Sequence, residues 1–123
     1  MTIEESDARN KLKQSALRYF NKKGYDVEDE KVVKEGYSGL SREFDLVVRR
    51  GGSTQPVWIK DWDRTIGVNI VIDLDKASAD VGLNNPIVVG GKFSDHAKSY
   101  ANRKKITLLT ERQINRILRM GHY

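Results

Sequence analysis

"GLSREFDLVVRRGGSTQPVWIKDW", residues 39–62, decides how the rest of the chain folds. In "REFDLVVRR", residues 42–50, Phe44, Leu46 and Val48 alternate with Glu43, Asp45 and Val47, the two-residue period of a strand with two different faces. "GGSTQP", residues 51–56, is a run of turn formers, so "VWIK", residues 57–60, returns beside the first strand as its antiparallel neighbour. Alternation then places Trp58 and Lys60 on one face of that strand. A lysine at the end of an apolar strand, with a tryptophan two residues before it, needs a reason.

Towards the N-terminus, Thr2 and Glu5 form a capping box that opens a helix near Ile3. Leu12, Ala16, Tyr19 and Phe20 recur at helical spacing, and Gly24 supplies the left-handed stop. Arg9, Lys11, Lys13, Arg18, Lys22 and Lys23 cover the outer side of this helix. "YDVEDEKVV" reads as one strand and "EGYSGLS" as a polar loop.

Beyond the hairpin, Val68, Val71, Leu74, Ser78 and Val81 line one face of a helix expected over about 65–81. The β-branched run "VNIVI" argues against an early start. "IVVGG" is a fully apolar strand of the buried, parallel kind. Ser94 caps a helix running to about Lys104, "ITLLT" is a strand, and Thr110 with Gln113 opens a last helix through a second capping box. The order α-β-β-β-α-β-α-β-α predicts an α/β fold, a central mixed sheet flanked by helices.

The 123 residues fit a single domain, 1–123, with 38% hydrophobic and 32% charged residues. Cysteine is absent, which excludes disulfides, a thiolate zinc site and a thiol nucleophile. No apolar run approaches the ~18 residues that span a membrane. The polar start "MTIEESDARN" is neither a secretory signal nor a transit peptide, so a cytoplasmic location is expected. Residues 92–123 carry eight Lys/Arg against Asp95 and Glu111, so the basic excess sits in the last quarter and suits a polyanion. Arg112, Arg116 and Arg119 make one stripe of the last helix, with Lys104 and Lys105 just before it in sequence.

The order of elements, with "GLSREFDLVVRR", "VWIKDW", "IVVGGKFSDHAKSYA" and "ITLLT" in succession, resembles the PD-(D/E)xK nuclease superfamily. Within it the likeness is to Mrr-type restriction endonuclease domains and, more distantly, to archaeal Holliday junction resolvases. The resemblance implies a restriction endonuclease-like fold. It also implies that Asp45 is the metal-binding aspartate and Lys60 the catalytic lysine. Where the family pattern has Glu, two before the lysine, this chain has Trp58.

The substitution matters because Mg²⁺ takes hard oxygen ligands to polarise a phosphate and acidify water. An indole offers only an N–H donor. Glu43, Asp73, or one of Asp61 and Asp63 are the candidate substitute acids; failing them, Asp45 and Lys60 are left to pair as an ion pair. Trp58 and Trp62 either stack on bases or pack as cleft filler and loop cover. The expected function is nucleic-acid binding, to DNA, through Arg112, Arg116, Arg119, Lys104, Lys105 and Trp62, with an inactive site and no cofactor. The alternatives are an active Mg²⁺-dependent endonuclease and a pseudo-nuclease acting through a protein partner, as a homodimer or a subunit of a larger complex.

Overall fold

The computed structural model describes residues 3–120, with side chains from residue 11 onward. The capping box at Thr2 and Glu5 lies outside the described residues. The chain runs α1 (Ile3–Lys22), β1 (Asp26–Glu28), β2 (Val32–Glu35), β3 (Ser41–Phe44), β4 (Leu46–Arg50) and β5 (Ser53–Lys60). It continues with α2 (Val68–Asp80), β6 (Ile87–Gly90), α3 (Asp95–Lys104), β7 (Thr107–Thr110) and α4 (Glu111–Arg119).

A five-stranded sheet has the order β1-β4-β5-β6-β7, while β2 and β3 form a separate two-stranded ribbon. β1, β4 and β5 pair antiparallel, and β5, β6 and β7 run parallel. The mixed α/β architecture expected from the sequence is therefore present. Its residues divide cleanly by strand alternation. Leu46, Val48, Val57, Ile87, Val89 and Leu109 pack on α1 and α4 through Leu12, Ala16, Phe20 and Ile114. Val47 and Val88 face α2 and α3, meeting Val71, Leu74, Ala77, Ala97 and Ala101.

Two expected strands are each divided. "YDVEDEKVV" becomes β1 and β2 because residues 28–31, Glu-Asp-Glu-Lys, are all exposed and have no core to enter. "REFDLVVRR" breaks at Asp45 into β3 and β4, which belong to different sheets. Phe44 does not share a face with Leu46 and Val48; it packs with Val47 in the α2/α3 core. Asp45 thus behaves as the extra residue of a β-bulge, which resets the alternation and turns the strand.

The hairpin turn is shorter than expected. Gly51 and Gly52 take φ of 58° and 80°, and β5 already begins at Ser53. Two positive φ values suit a two-residue turn matched to the twist of the strands. Helix α2 starts at Val68 rather than Thr65. Ile66, fully buried, is instead held in a parallel bridge to Phe93, with its N–H on the Lys92 carbonyl at 2.8 Å. The β-branched "VNIVI" enters the helix all the same, because Val71 and Leu74 gain full burial. The caps at Ser94 and Thr110 form as read, the second with both reciprocal hydrogen bonds.

Candidate functional site

The registers align Lys60, Gly90 and Thr110 at the carboxyl ends of β5, β6 and β7. Open α/β sheets bind ligands at this end, where loops diverge and backbone groups are free. Here a cleft of about 460 Å³ is lined by Lys31, Arg42, Glu43, Asp45, Trp58 and Lys60, among others. A neighbouring cavity of about 350 Å³ is lined by Lys13, Asp45, Ile59, Asp61 and Trp62. Asp45 borders both. The structure therefore brings Asp45, Trp58 and Lys60 together as the sequence pattern required.

Their interactions differ from the expected ones. Asp45 sits one residue beyond the Leu46–Val57 pair, where its N–H donates to the Val57 carbonyl at 3.0 Å. Its Oδ2 accepts the Ile59 N–H at 2.7 Å, so the carboxylate completes the β4–β5 ladder at the break. Trp58 Nε1 donates to the Glu43 carbonyl at 2.9 Å, fixing the indole edge against β3. Lys60 Nζ lies 4.7 Å from the centre of the Trp58 ring and 5.6 Å from that of Trp62. Arg64 lies 4.3 Å from the Trp62 ring centre. The expected Asp45–Lys60 ion pair is not among the salt bridges of the described residues. Asp45 already has a backbone donor, and the ammonium is drawn to the negative faces of two rings.

The substitute acids do not assemble. Glu43 reaches Lys31 at 3.7 Å with both side chains largely exposed. It lines the larger cleft with Asp45, but the two carboxylates serve different partners, Lys31 and the Ile59 N–H. Asp73 is on the exposed side of α2, and Asp63 is exposed in the loop after β5. Asp61 lines the smaller cavity with Asp45. Among the described residues, no three His, Cys, Asp or Glu side chains converge. One carboxylate with an oxygen committed to a backbone amide, facing an indole, does not fit Mg²⁺, which requires several oxygen donors in near-octahedral array.

The ribbon walling the cleft is held by a clamp that the sequence pattern did not reveal. Asp80, ending α2, accepts Ser38 N–H at 2.9 Å, Ser38 Oγ–H at 2.6 Å and Arg42 Nε–H at 2.8 Å. The Ser38 hydroxyl, then Arg42 and the Ser38 amide, lower the Asp80 carboxyl to about 2. The carboxylate passes so close to Gly36 that a Cβ there would overlap Asp80 Oδ2. Nothing local in the sequence pointed to Asp80.

The basic residues fall into two places. Arg112, Arg116 and Arg119 are exposed along α4, which starts at the carboxyl end of β7 and packs beside α1. Lys104 ends α3 and Lys105 follows it, on the other face, beside Asn84, Asn85 and Pro86 at the amino end of β6. The structure does not join the two sets. Lys13, Lys31, Arg42 and Arg64 are the cations that gather with Lys60, and sequence spacing gave no reason to group them.

Comparison with known families matches residues 8–118 to the Mrr_cat restriction endonuclease model. The chain belongs to that family. Its fold is shared with a crystal structure of AF1548, an archaeal protein of unknown function, at a TM-score of 0.72 and 21% identity. The match covers 80% of this chain and 56% of that one, so this chain spans little more than half its length. No curated protein matches. Membership of the restriction endonuclease family carries a nuclease-like, nucleic-acid-related role. No described helix is long and apolar enough to cross a membrane.

Proposed function

We propose that this Mrr-type domain binds DNA without efficient metal-dependent cleavage. The observation that carries the reading is Trp58. It stands in the acid's place, its N–H spent on the Glu43 carbonyl and its ring beneath the Lys60 ammonium. An ion that polarises phosphate would have Asp45, one oxygen of which accepts the Ile59 N–H, and across the cleft only Glu43, which pairs with Lys31. Binding would rest on backbone phosphates, contacted by the exposed arginines of α4 and the cations at the cleft, a sequence-independent mode.

The competing reading, hydrolysis through a substitute acid, is favoured by two carboxylates that line cavities with Asp45, Glu43 in the larger and Asp61 in the smaller. The deciding experiment incubates the protein with plasmid, single-stranded and junction DNA in Mg²⁺ and in Mn²⁺, alongside Asp45→Asn. Asparagine keeps an oxygen for the Ile59 N–H while removing the charge. Salt-dependent binding with no cleavage above background supports the proposal. Turnover by the parent that Asp45→Asn abolishes would establish the enzyme instead.

A further inference from the structure

Resting on the DNA-binding reading, we infer that the paired cavities beside Lys60 form a site for unpaired nucleotides, one base against each tryptophan and the linking phosphate on the lysine. Trp58 lines the 460 Å³ cavity and Trp62 the 350 Å³ cavity, and Lys60 stands between the two rings. Both volumes fall in the roughly 300–1,000 Å³ range of small-ligand pockets, too confined for a duplex but open to a single base. Both rings are half-buried, and the hydrogen bond from Trp58 to Glu43 fixes the plane of one of them. A ring held in place loses little freedom when a base stacks on it.

Lys60 supplies the rest. Among the described residues its ammonium makes no salt bridge and no hydrogen bond, and it rests against the two ring faces. An ammonium has three donors, and ring faces satisfy it without using a lone pair. It is therefore a cation positioned by aromatics with donors left for a phosphate oxygen. Lys13 and Arg64 add positive charge on the Trp62 side, and Lys31 and Arg42 on the Trp58 side, where Arg42 is shared with Asp80. The opposing charges are Glu43, bonded to Lys31, together with Asp45 and Asp61. Cations outnumber anions around the pair of cavities. Alternating stacking surfaces and cations are how proteins hold single strands whatever their sequence.

The chain contains only two tryptophans, so its intrinsic indole fluorescence reports on this site alone. The test titrates oligothymidylate, oligouridylate and a hairpin duplex, following tryptophan emission and, separately, anisotropy of labelled nucleic acid. The unpaired oligonucleotides are expected to quench emission, and the single-tryptophan variants Trp58→Phe and Trp62→Phe should each remain quenchable. Comparing oligothymidylate with oligouridylate tells whether the unpaired nucleotide is deoxyribo or ribo. Trp62→Ala should weaken oligonucleotide binding about 5- to 150-fold, the loss of one base stack, while changing duplex affinity less than about twofold. Lys60→Met keeps the apolar stem and should lower the salt slope by about 0.7, one single-strand phosphate. Melting curves verify that each variant is folded, and the unmodified protein's quenching stands whether or not a variant folds. Oligonucleotide binding seen by anisotropy without any quenching overturns the inference. So does a Trp62→Ala effect equal on duplex and single strand. Duplex binding with both tryptophans silent refutes this site and leaves the DNA-binding reading intact, whereas no binding of any nucleic acid removes both.

Discussion

On the proposed alignment, replacing Trp58 by glutamate restores the second acid of the family pattern and asks whether the cleft has the shape for an ion. Trp58 is half-buried against the α2/α3 core, so its removal forfeits about half of the ~3–5 kcal/mol typical for a buried aromatic. The indole hydrogen bond to Glu43 is a further ~0.5–1.5 kcal/mol. Together the loss is roughly 2–4 kcal/mol, a fall of about 10 °C in Tm for a domain of this size. Lys60, freed from the ring, would pair with the introduced carboxylate and recover part of it. Trp58→Gln has the same packing loss with no charge and is the control. If the carboxylate and Asp45 share an ion, Mn²⁺ or Mg²⁺ at about 100 times its Kd returns ~2.7 kcal/mol, most of what was lost. Thermal melting of both variants, in chelator and in saturating metal, reads this directly. A metal-dependent rise for Trp58→Glu that Trp58→Gln lacks is the expected result. Equal melting curves for the two variants in both conditions would show that residue 58 does not occupy the acid's position, and the alignment of β5 with the nuclease strand would fall.

Reversing Arg112, Arg116 and Arg119 to Glu should weaken duplex binding alike across sequences and reduce the salt slope by about 0.9 for each phosphate no longer neutralised; an unchanged slope would take α4 out of the interface. Asp80 is a carboxylate whose folded value, about 2, lies below its ordinary one. Its contribution is therefore complete above about pH 4, the unfolded value, and is lost as pH falls through about 2. Asp80→Asn should lower Tm at neutral pH and flatten the acid limb between those values, and parallel acid limbs for the two proteins would contradict the clamp. Gly36→Ala drives a methyl into the same carboxylate and should destabilise by about 1–3 kcal/mol in urea unfolding, an effect that shrinks in the Asp80→Ala background.

Local chemistry made the helices legible. Ser94 and Thr110 lie beside the amide groups they cap, so three or four consecutive residues contained the whole interaction. The parallel strands β6 and β7 were equally plain, since burial on both faces demands an unbroken apolar run. The division at Asp45 was hidden because Phe44, Leu46 and Val48 continue the alternation on paper. The countersign was Leu46-Val47-Val48, three consecutive apolar residues that a one-sided strand has no use for; all three are fully buried. Asp45, Trp58 and Lys60 were found as a group because strand register brings them together. Their pairing was not, because it depends on the free N–H of Ile59 and on Trp62, which approaches from a loop. Asp80 lies 38 residues from Arg42, and neither residue's neighbours announce the other.

Asp45 now carries an obligation that has nothing to do with phosphate. It sits where the chain leaves the ribbon for the main sheet, and its side chain takes the amide that a departed backbone carbonyl would have taken. Substituting a residue without an acceptor strands a half-buried N–H, at a cost of about 1–3 kcal/mol. On the proposed reading, a change of acid to indole at position 58 removes a metal ligand and leaves the ladder intact, whereas loss of the Asp45 carboxylate leaves the Ile59 N–H without its acceptor. The two halves of a dyad decay under different rules, one as a reagent and the other as a splice in the scaffold. A surviving aspartate at such a junction is weak testimony for catalysis, and the residue across from it is the better witness.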